Sequence, residues 1–335
     1  MPDPDDPEIP LSSGLIPVSE QAVAWSGSPA QSLAENPAAV YLASLAPGSR
    51  RTMREALDTM AGILTDQRCG DCLQWDWSSM RFAHSAALRA ILMNRYQAAT
   101  VNKMLSALRG TLKAAWRLGQ ISAEEYQRAR DVGNVSGDVL PAGRALIGGE
   151  VAALLADCHR DPNLALAARD AAILSLLYGC GLRRAEVVTL TIADLRTGAD
   201  GADLRILGKG NKQRLVPLTG GAHRAVGDWL RVRGGADGPL FNRFLKGGRR
   251  QNSGLSTQAV YNMLQTRARN AGVAEFSPHD IRRTFVGDLL DRGADIVTVQ
   301  KLAGHASVTT TARYDRRGEA TKRRAAELLN VPYVD

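Results

Sequence analysis

The first 49 residues contain no lysine or arginine, although they hold six acids, Asp3, Asp5, Asp6, Glu8, Glu20 and Glu35. Up to about residue 34 this stretch is mostly Pro, Ser, Ala and Gly without periodicity, and it reads as an acidic flexible tail over 1–34. Met1 to Pro10 lacks the basic and apolar regions of a secretory signal. No apolar run approaches the ~20 residues of a membrane span. A cytoplasmic protein without a membrane partner is therefore expected. Cysteine is scarce: of four, only Cys69 and Cys72 form a CxxC pair, while Cys158 and Cys180 stand alone. A structural zinc site needs a second pair or histidines at fixed spacing. Neither is present, so the pair reads as a loop with two reduced thiols, and no metal or cofactor is expected.

Basic residues are abundant elsewhere. The whole chain is +8, and because the tail is purely acidic the remainder is more basic still. Such a body suits a polyanionic partner, nucleic acid being the usual one.

From about residue 35 to 132 the pattern is helical. Ala38, Tyr41, Leu42 and Leu45 make one stripe. Pro47-Gly48-Ser49 breaks it, with Ser49 as the candidate cap of the next helix. Met53, Leu57, Met60 and Leu64 follow at helical spacing, and a third helix is expected near Ser79–Tyr96. In a fourth, Val101, Met104, Leu105, Leu108, Leu112, Ala115 and Trp116 share a face. Its other side carries Lys103, Arg109, Lys113 and Arg117, which by itself describes a solvated helix. A short helix is expected at Ala123–Asp131. Residues 133–143, rich in Gly, Asn, Ser, Asp and Pro, read as a linker.

A second domain is expected over 144–335. Helices are expected near Gly149–His159 and Leu164–Tyr178. Strands at Asp203–Leu207 and Arg214–Leu218 flank a Gly-Lys-Gly-Asn turn, a hairpin signal. The fold class is mainly α with a small antiparallel β-sheet, in two domains.

Four phrases in this domain carry chemistry. They are Gly181-Leu182-Arg183-Arg184-Ala185-Glu186; Gly208-Lys209-Gly210-Asn211-Lys212-Gln213-Arg214-Leu215-Val216-Pro217; Pro278-His279-Asp280-Ile281-Arg282-Arg283-Thr284-Phe285; and Leu302-Ala303-Gly304-His305, with Tyr314 nine residues on. Singly, each has an ordinary reading: a surface arginine, a hairpin-tip lysine, a helix-capping histidine, a core tyrosine. Together, two arginines, a lysine, two histidines and a tyrosine suit attack on a phosphodiester. Guanidinium groups are always charged and donate paired hydrogen bonds to the oxygens that gain charge. A metal route would call for clustered carboxylates, and Glu186 and Asp280 are too scattered. His279 and Arg282, three apart, share a helix face. Glu186, three after Arg183 on a predicted helix, is read as a group that orients an arginine. Arg184 and Arg283 are expected to project away from their chosen neighbours.

These phrases resemble those of the tyrosine recombinase (integrase) family, including its Xer-type branch, whose order is Arg, Lys, His-x-x-Arg, His or Trp, then Tyr. Every position has a match, and the resemblance covers about residues 144–329. The helical domain resembles the family's core-binding domain in size and position only. The resemblance implies a covalent 3′-phosphotyrosyl link at Tyr314. It implies a phosphate clamped by Arg183 and Arg282 and hydrogen-bonded by His305. His279 would be an acid–base or phosphate ligand. Lys209, preferred to Lys212 because it lies between the two glycines, would protonate the 5′-oxygen. It further implies double-stranded DNA as partner, a homotetramer on two duplexes, DNA contacts from Lys103, Arg109, Lys113 and Arg117, and a final helix near 319–331 docked on a neighbour. The absence of basic residues before Arg50 argues against the arm-binding domain of many phage integrases, and the tail could bind an accessory protein. A mobile element's integration or excision and the resolution of DNA dimers are both open. Alternatives are a type IB topoisomerase or telomere resolvase, which share phosphotyrosyl chemistry, and a non-catalytic DNA-binding accessory protein, which should have lost a catalytic residue.

Overall fold

The computed structural model describes residues 32–137, 143–198, 201–208, 212–245, 247–318 and positions 323, 326 and 327. The chain divides into two compact units, Met1–Leu140 and Pro141–Asp335.

The first unit is all helical as described: α1 (Pro37–Ser44), α2 (Pro47–Leu64), a single turn at Trp77–Ser79, α3 (Phe82–Arg95), α4 (Ala98–Arg117) and α5 (Ala123–Arg130). Asn36 caps α1 by accepting from Ala39 N at 3.1 Å, and Ser122 with Glu125 forms a capping box on α5. Ser49 is not a cap. Pro47 is the first residue of α2 and Ser49 lies within its first turn, because proline's fixed φ and missing N–H suit the first helical position. Leu105, Leu108 and Leu112 of α4 pack with Leu57 and Met60 of α2 in one buried core. Trp116 departs from that face: it is 39% exposed and stacks on Tyr126 with ring centroids 5.3 Å apart.

The chain leaving α5 is strapped back onto this unit. Arg109 donates to Val132 O at 2.6 Å and to Asn134 Oδ1 at 3.0 Å. Asn102 exchanges two hydrogen bonds with Val135, and Arg89 donates to Gly133 O. Residues 133–135, expected in the linker, are thus held by α3 and α4.

The second unit contains α6 (Gly148–His159), α7 (Leu164–Gly179), α8 (Arg184–Thr189), β1 (Leu195–Gly198), β2 (Gly201–Leu207), β3 (Gln213–Leu218), α9 (Gly220–Arg233), β4 (Asn242–Phe244), β5 (Arg250–Gly254), α10 (Thr257–Ala271), α11 (Pro278–Asp291), α12 (Ile296–Ala303) and α13 (Val308–Ala312). The expected hairpin is part of a three-stranded antiparallel sheet, β1-β2-β3. Leu204 faces Val216 across it, and Ala202, Leu204 and Ile206 form its buried face. The β4–β5 pair was not anticipated, since Arg250–Gly254 is a mostly exposed polar run without apolar alternation.

Two cores fill this unit. The larger includes α7, the inner face of the sheet, Trp229 and Ile281. The smaller consists of Phe285, Val286, Leu290, Val299 and Ala303. Helix α11 serves both, with Ile281 in one and Phe285, Val286 and Leu290 in the other. Lys209 and nearly all of the helix expected at 319–331 lie outside the described residues.

Candidate active site

Helix α12 ends at Gly304, whose φ of +65° places it in the left-handed region that favours glycine. A helix end leaves its last carbonyls without partners, at the negative end of the helix dipole. Three arginines take three consecutive carbonyls here. Arg214 Nε donates to Leu302 O at 3.1 Å, Arg282 Nη2 donates to Ala303 O, and Arg183 Nη2 donates to Gly304 O at 2.8 Å. The Leu-Ala-Gly phrase thus builds an acceptor row that gathers three cations.

Glu186 fixes two of them from the other side. Arg183 is the residue before α8 rather than part of it, and its backbone N–H donates to Glu186 Oε2 at 2.8 Å. Its Nη1 donates to Glu186 Oε1 at 2.9 Å. Arg214 donates Nη1 and Nη2 to the same carboxylate, each at 2.8 Å. Burial pushes the Glu186 carboxyl up, but the Arg214 hydrogen bonds, the Arg183 N–H, the Arg214 charge and the Arg183 side-chain hydrogen bond outweigh it and hold the group below its ordinary range.

Arg282 is 3% exposed and also donates to Gly181 O. Burial first, then the neighbouring Arg183 charge, bring its pKa down to about 10, which leaves it charged at neutral pH. Asp280, two residues earlier, caps α11 by accepting from Ser277 N and Oγ, both at 2.8 Å.

The tyrosine is the second residue after α13, following the C-cap Arg313. Tyr314 Oη lies 3.0 Å from His279 Nε2, and its ring is 6.1 Å from that of His305. His305 is held by Thr311 Oγ1, 2.9 Å from Nδ1, and by paired contacts with Gln300. Its pKa is lowered to about 4 by burial and by the Arg282 and Arg183 charges. His279 is lowered too, by loss of water and then by Arg282 and Arg283. Both shifts favour the neutral ring. Arg283 lies over the Tyr314 ring, 5.7 Å from its centroid, and donates to Gly143 O at 2.7 Å.

Of the residues singled out from the sequence, Arg183, Glu186, His279, Arg282, His305 and Tyr314 fall in one region of the second unit. Arg214 was missed, although its alternation with buried Val216 and Leu218 on β3 marks it as inward-facing. The expectation that Arg184 projects elsewhere is corrected. Arg184 lines the same cleft as Arg183, His279 and Arg282, because Arg183 precedes the helix and the two do not follow helical angles. In the first unit Lys103, Lys113 and Arg117 are exposed on α4, whereas Arg109 is engaged by the strap described above.

Among the described residues, the one grouping able to surround a metal ion is Asp58, Asp71 and Cys72 in the first unit. Arg54 pairs there with Asp71 at 3.2 Å and Asp58 at 3.7 Å, and burial pushes the Cys72 thiol up, so the protonated thiol is a poor ligand.

A phenol within hydrogen-bond reach of an imidazole, beside guanidinium groups held in place, is an arrangement that suits attack on a phosphodiester. Residues 145–320 match the model described as the phage integrase family. A tyrosine recombinase XerC from Vibrio parahaemolyticus is 32% identical over 273 residues, covering 79% of this chain and 81% of the relative. Another XerC, from Chromohalobacter salexigens, is 42% identical over 155 residues, 45% of this chain, and the match spans about half (49%) of that relative. The Tn1549 transposon integrase in complex with circular intermediate DNA has the same fold, at a TM-score of 0.62, 18% identity and coverage of 89% of this chain and 99% of that one. The chain belongs to the phage integrase family and is a tyrosine-type site-specific recombinase of the Xer-like branch.

Proposed function

We propose that Tyr314 is the nucleophile of this recombinase, and the observation that carries the reading is its 3.0 Å contact with His279 Nε2. The phenol oxygen forms a bond to phosphorus while the bond to the 5′-oxygen breaks. The phenolic proton passes to His279, whose lowered pKa keeps it able to accept. Arg183 and Arg282 hold the non-bridging oxygens, and His305 donates to the same phosphate. Lys209, by its place in the family's phrase, protonates the departing 5′-oxygen. The 3′-phosphotyrosyl link conserves the energy of the broken bond, so the 5′-hydroxyl of a second strand can displace Tyr314 without ATP.

Double-stranded DNA is the substrate in this reading. A homotetramer brings two duplexes together. Exposed Lys103, Lys113 and Arg117 contact phosphates, with Arg109 contributing through its remaining surface. The tetramer acts in the cytoplasm; no described helix is long and apolar enough to cross a membrane. The biological task is integration or excision of a mobile element, or resolution of DNA dimers.

Covalent trapping tests this. Wild-type and Tyr314→Phe proteins are mixed with a library of nicked duplexes in chelator, and denaturing gels reveal adducts. An adduct formed only by wild type is expected, and sequencing its DNA identifies the site. An adduct that survives Tyr314→Phe overturns the choice of nucleophile.

A further inference from the structure

Arg184 is placed unlike the arginines around it. Arg183, Arg214 and Arg282 are held by α12 carbonyls, two of them also by Glu186. Arg184 makes no hydrogen bond or ion pair with any described residue; its one specific contact is with the Tyr261 ring of α10, 5.8 Å from guanidinium to centroid. Its five N–H donors are therefore uncommitted, while the aromatic face limits where the side chain can go. It lines a cleft of about 460 Å³ together with Arg183, Arg282, His279, Ser277 and Tyr261, and no carboxylate is among the lining residues. The cleft thus runs from the candidate scissile-phosphate site to a further cation that no described residue neutralises.

A polynucleotide strand carries one anion per nucleotide, so a strand that places one phosphate on Arg183 and Arg282 must carry another into the adjoining space. We propose that Arg184, steadied by Tyr261, binds the backbone phosphate next to the scissile one on the cleaved strand. This rests on the recombinase reading above. The contact fixes the register of the strand without reading its bases. Tyr261 acts as a positioning residue, because its ring holds the guanidinium rather than the DNA.

The test uses binding, which needs no cleavage. A duplex selected from a randomised pool by the full-length Tyr314→Phe protein is the probe, and each phosphate in turn is replaced by a neutral methylphosphonate. In the Tyr314→Phe background, replacing the contacted phosphate weakens binding about tenfold. Adding Arg184→Ala weakens binding to the unmodified duplex by a similar factor, makes that one replacement silent, and lowers the salt slope by about 0.9. Arg184→Lys, which keeps the charge, restores the salt slope. Thermal melting of each variant separates a lost contact from a lost fold. The scissile phosphate is located by the adduct of the wild-type protein, and absence of that adduct counts against the preceding section, not against Arg184. The proposal is overturned if every phosphate keeps its effect after Arg184→Ala, or if the silenced phosphate is not adjacent to the one found in the adduct.

Discussion

The two units solve opposite problems. Among the described residues, every buried Asp, Glu, Arg and His lies in the second unit; the buried polar residues of the first are Asn36, Thr65, Ser85 and Thr111, all neutral. The first unit is an apolar core with its cations outside. The second carries cations inside and must compensate each of them. Glu186 and the α12 carbonyls do so at the site. Away from it, Arg267 bridges Asp157, Asp161 and Asp170 at 3.2, 2.6 and 2.7 Å, joining α6, α7 and α10. A surface that only holds a polyanion can leave its charges solvated. A site that stabilises charge on one phosphate needs its donors desolvated and fixed.

The contrast can be broken most severely at Tyr314. Tyr314→Phe should abolish the covalent adduct while leaving the melting temperature and duplex affinity near wild type, as read by denaturing gel, calorimetry and gel shift. Arg214→Ala comes next. It leaves the buried Glu186 carboxylate with Arg183 alone, and a broken buried pair costs about 3–5 kcal/mol. Lysine should not rescue it, because the paired geometry needs a guanidinium. Melting curves and single-turnover cleavage of both variants decide this; a stable, active Arg214→Lys would show that charge alone suffices.

In the first unit the matching injury is apolar. Leu108→Ala should cost about 2–5 kcal/mol, with a denaturation profile that does not change with salt. A strongly salt-dependent loss would mean that the two units are less different than their buried residues indicate. A smaller effect belongs to His305. Between about pH 6.5 and the folded value of about 4, the unfolded chain binds a proton that the folded one refuses. This contribution is full above that window and lost as pH falls through it, with a slope of up to about 1.4 kcal/mol per pH unit. His305→Gln should flatten the pH dependence of the melting temperature there. The smallest effect is expected for Lys113→Ala, which should lower the salt slope of duplex binding by about 0.9 without altering cleavage of bound DNA.

Much of this was legible beforehand. The helical stripes of α2 and α4 and the hairpin of β2 and β3 followed from periodicity, while the grouping of Arg183, Glu186, His279, Arg282, His305 and Tyr314 followed from the chemistry that such a set suits and from the resemblance to the tyrosine recombinase family. The misreadings have specific causes. Ser49 looked like a cap because its side chain suits one, but Pro47 could already begin the helix. Arg184 was assigned to another face by a helical rule that fails one residue before the helix. Arg109 looked like its basic neighbours, yet its donors reach the chain beyond α5, a partner 23 residues away.

The order of residues set which groups were available: the phenol, the imidazoles, the guanidiniums and the glycine that lets α12 stop at residue 304. Side-chain chemistry and local backbone preference act over a few residues and can be read from order alone. Tertiary structure decided which cations were already spent. Arg214 is locked 88 residues from Leu302 and 28 from Glu186, whereas Arg184, next in the chain to the clamped Arg183, donates to no described residue. Whether a charge is compensated depends on what packs against it, and packing partners come from anywhere in the chain.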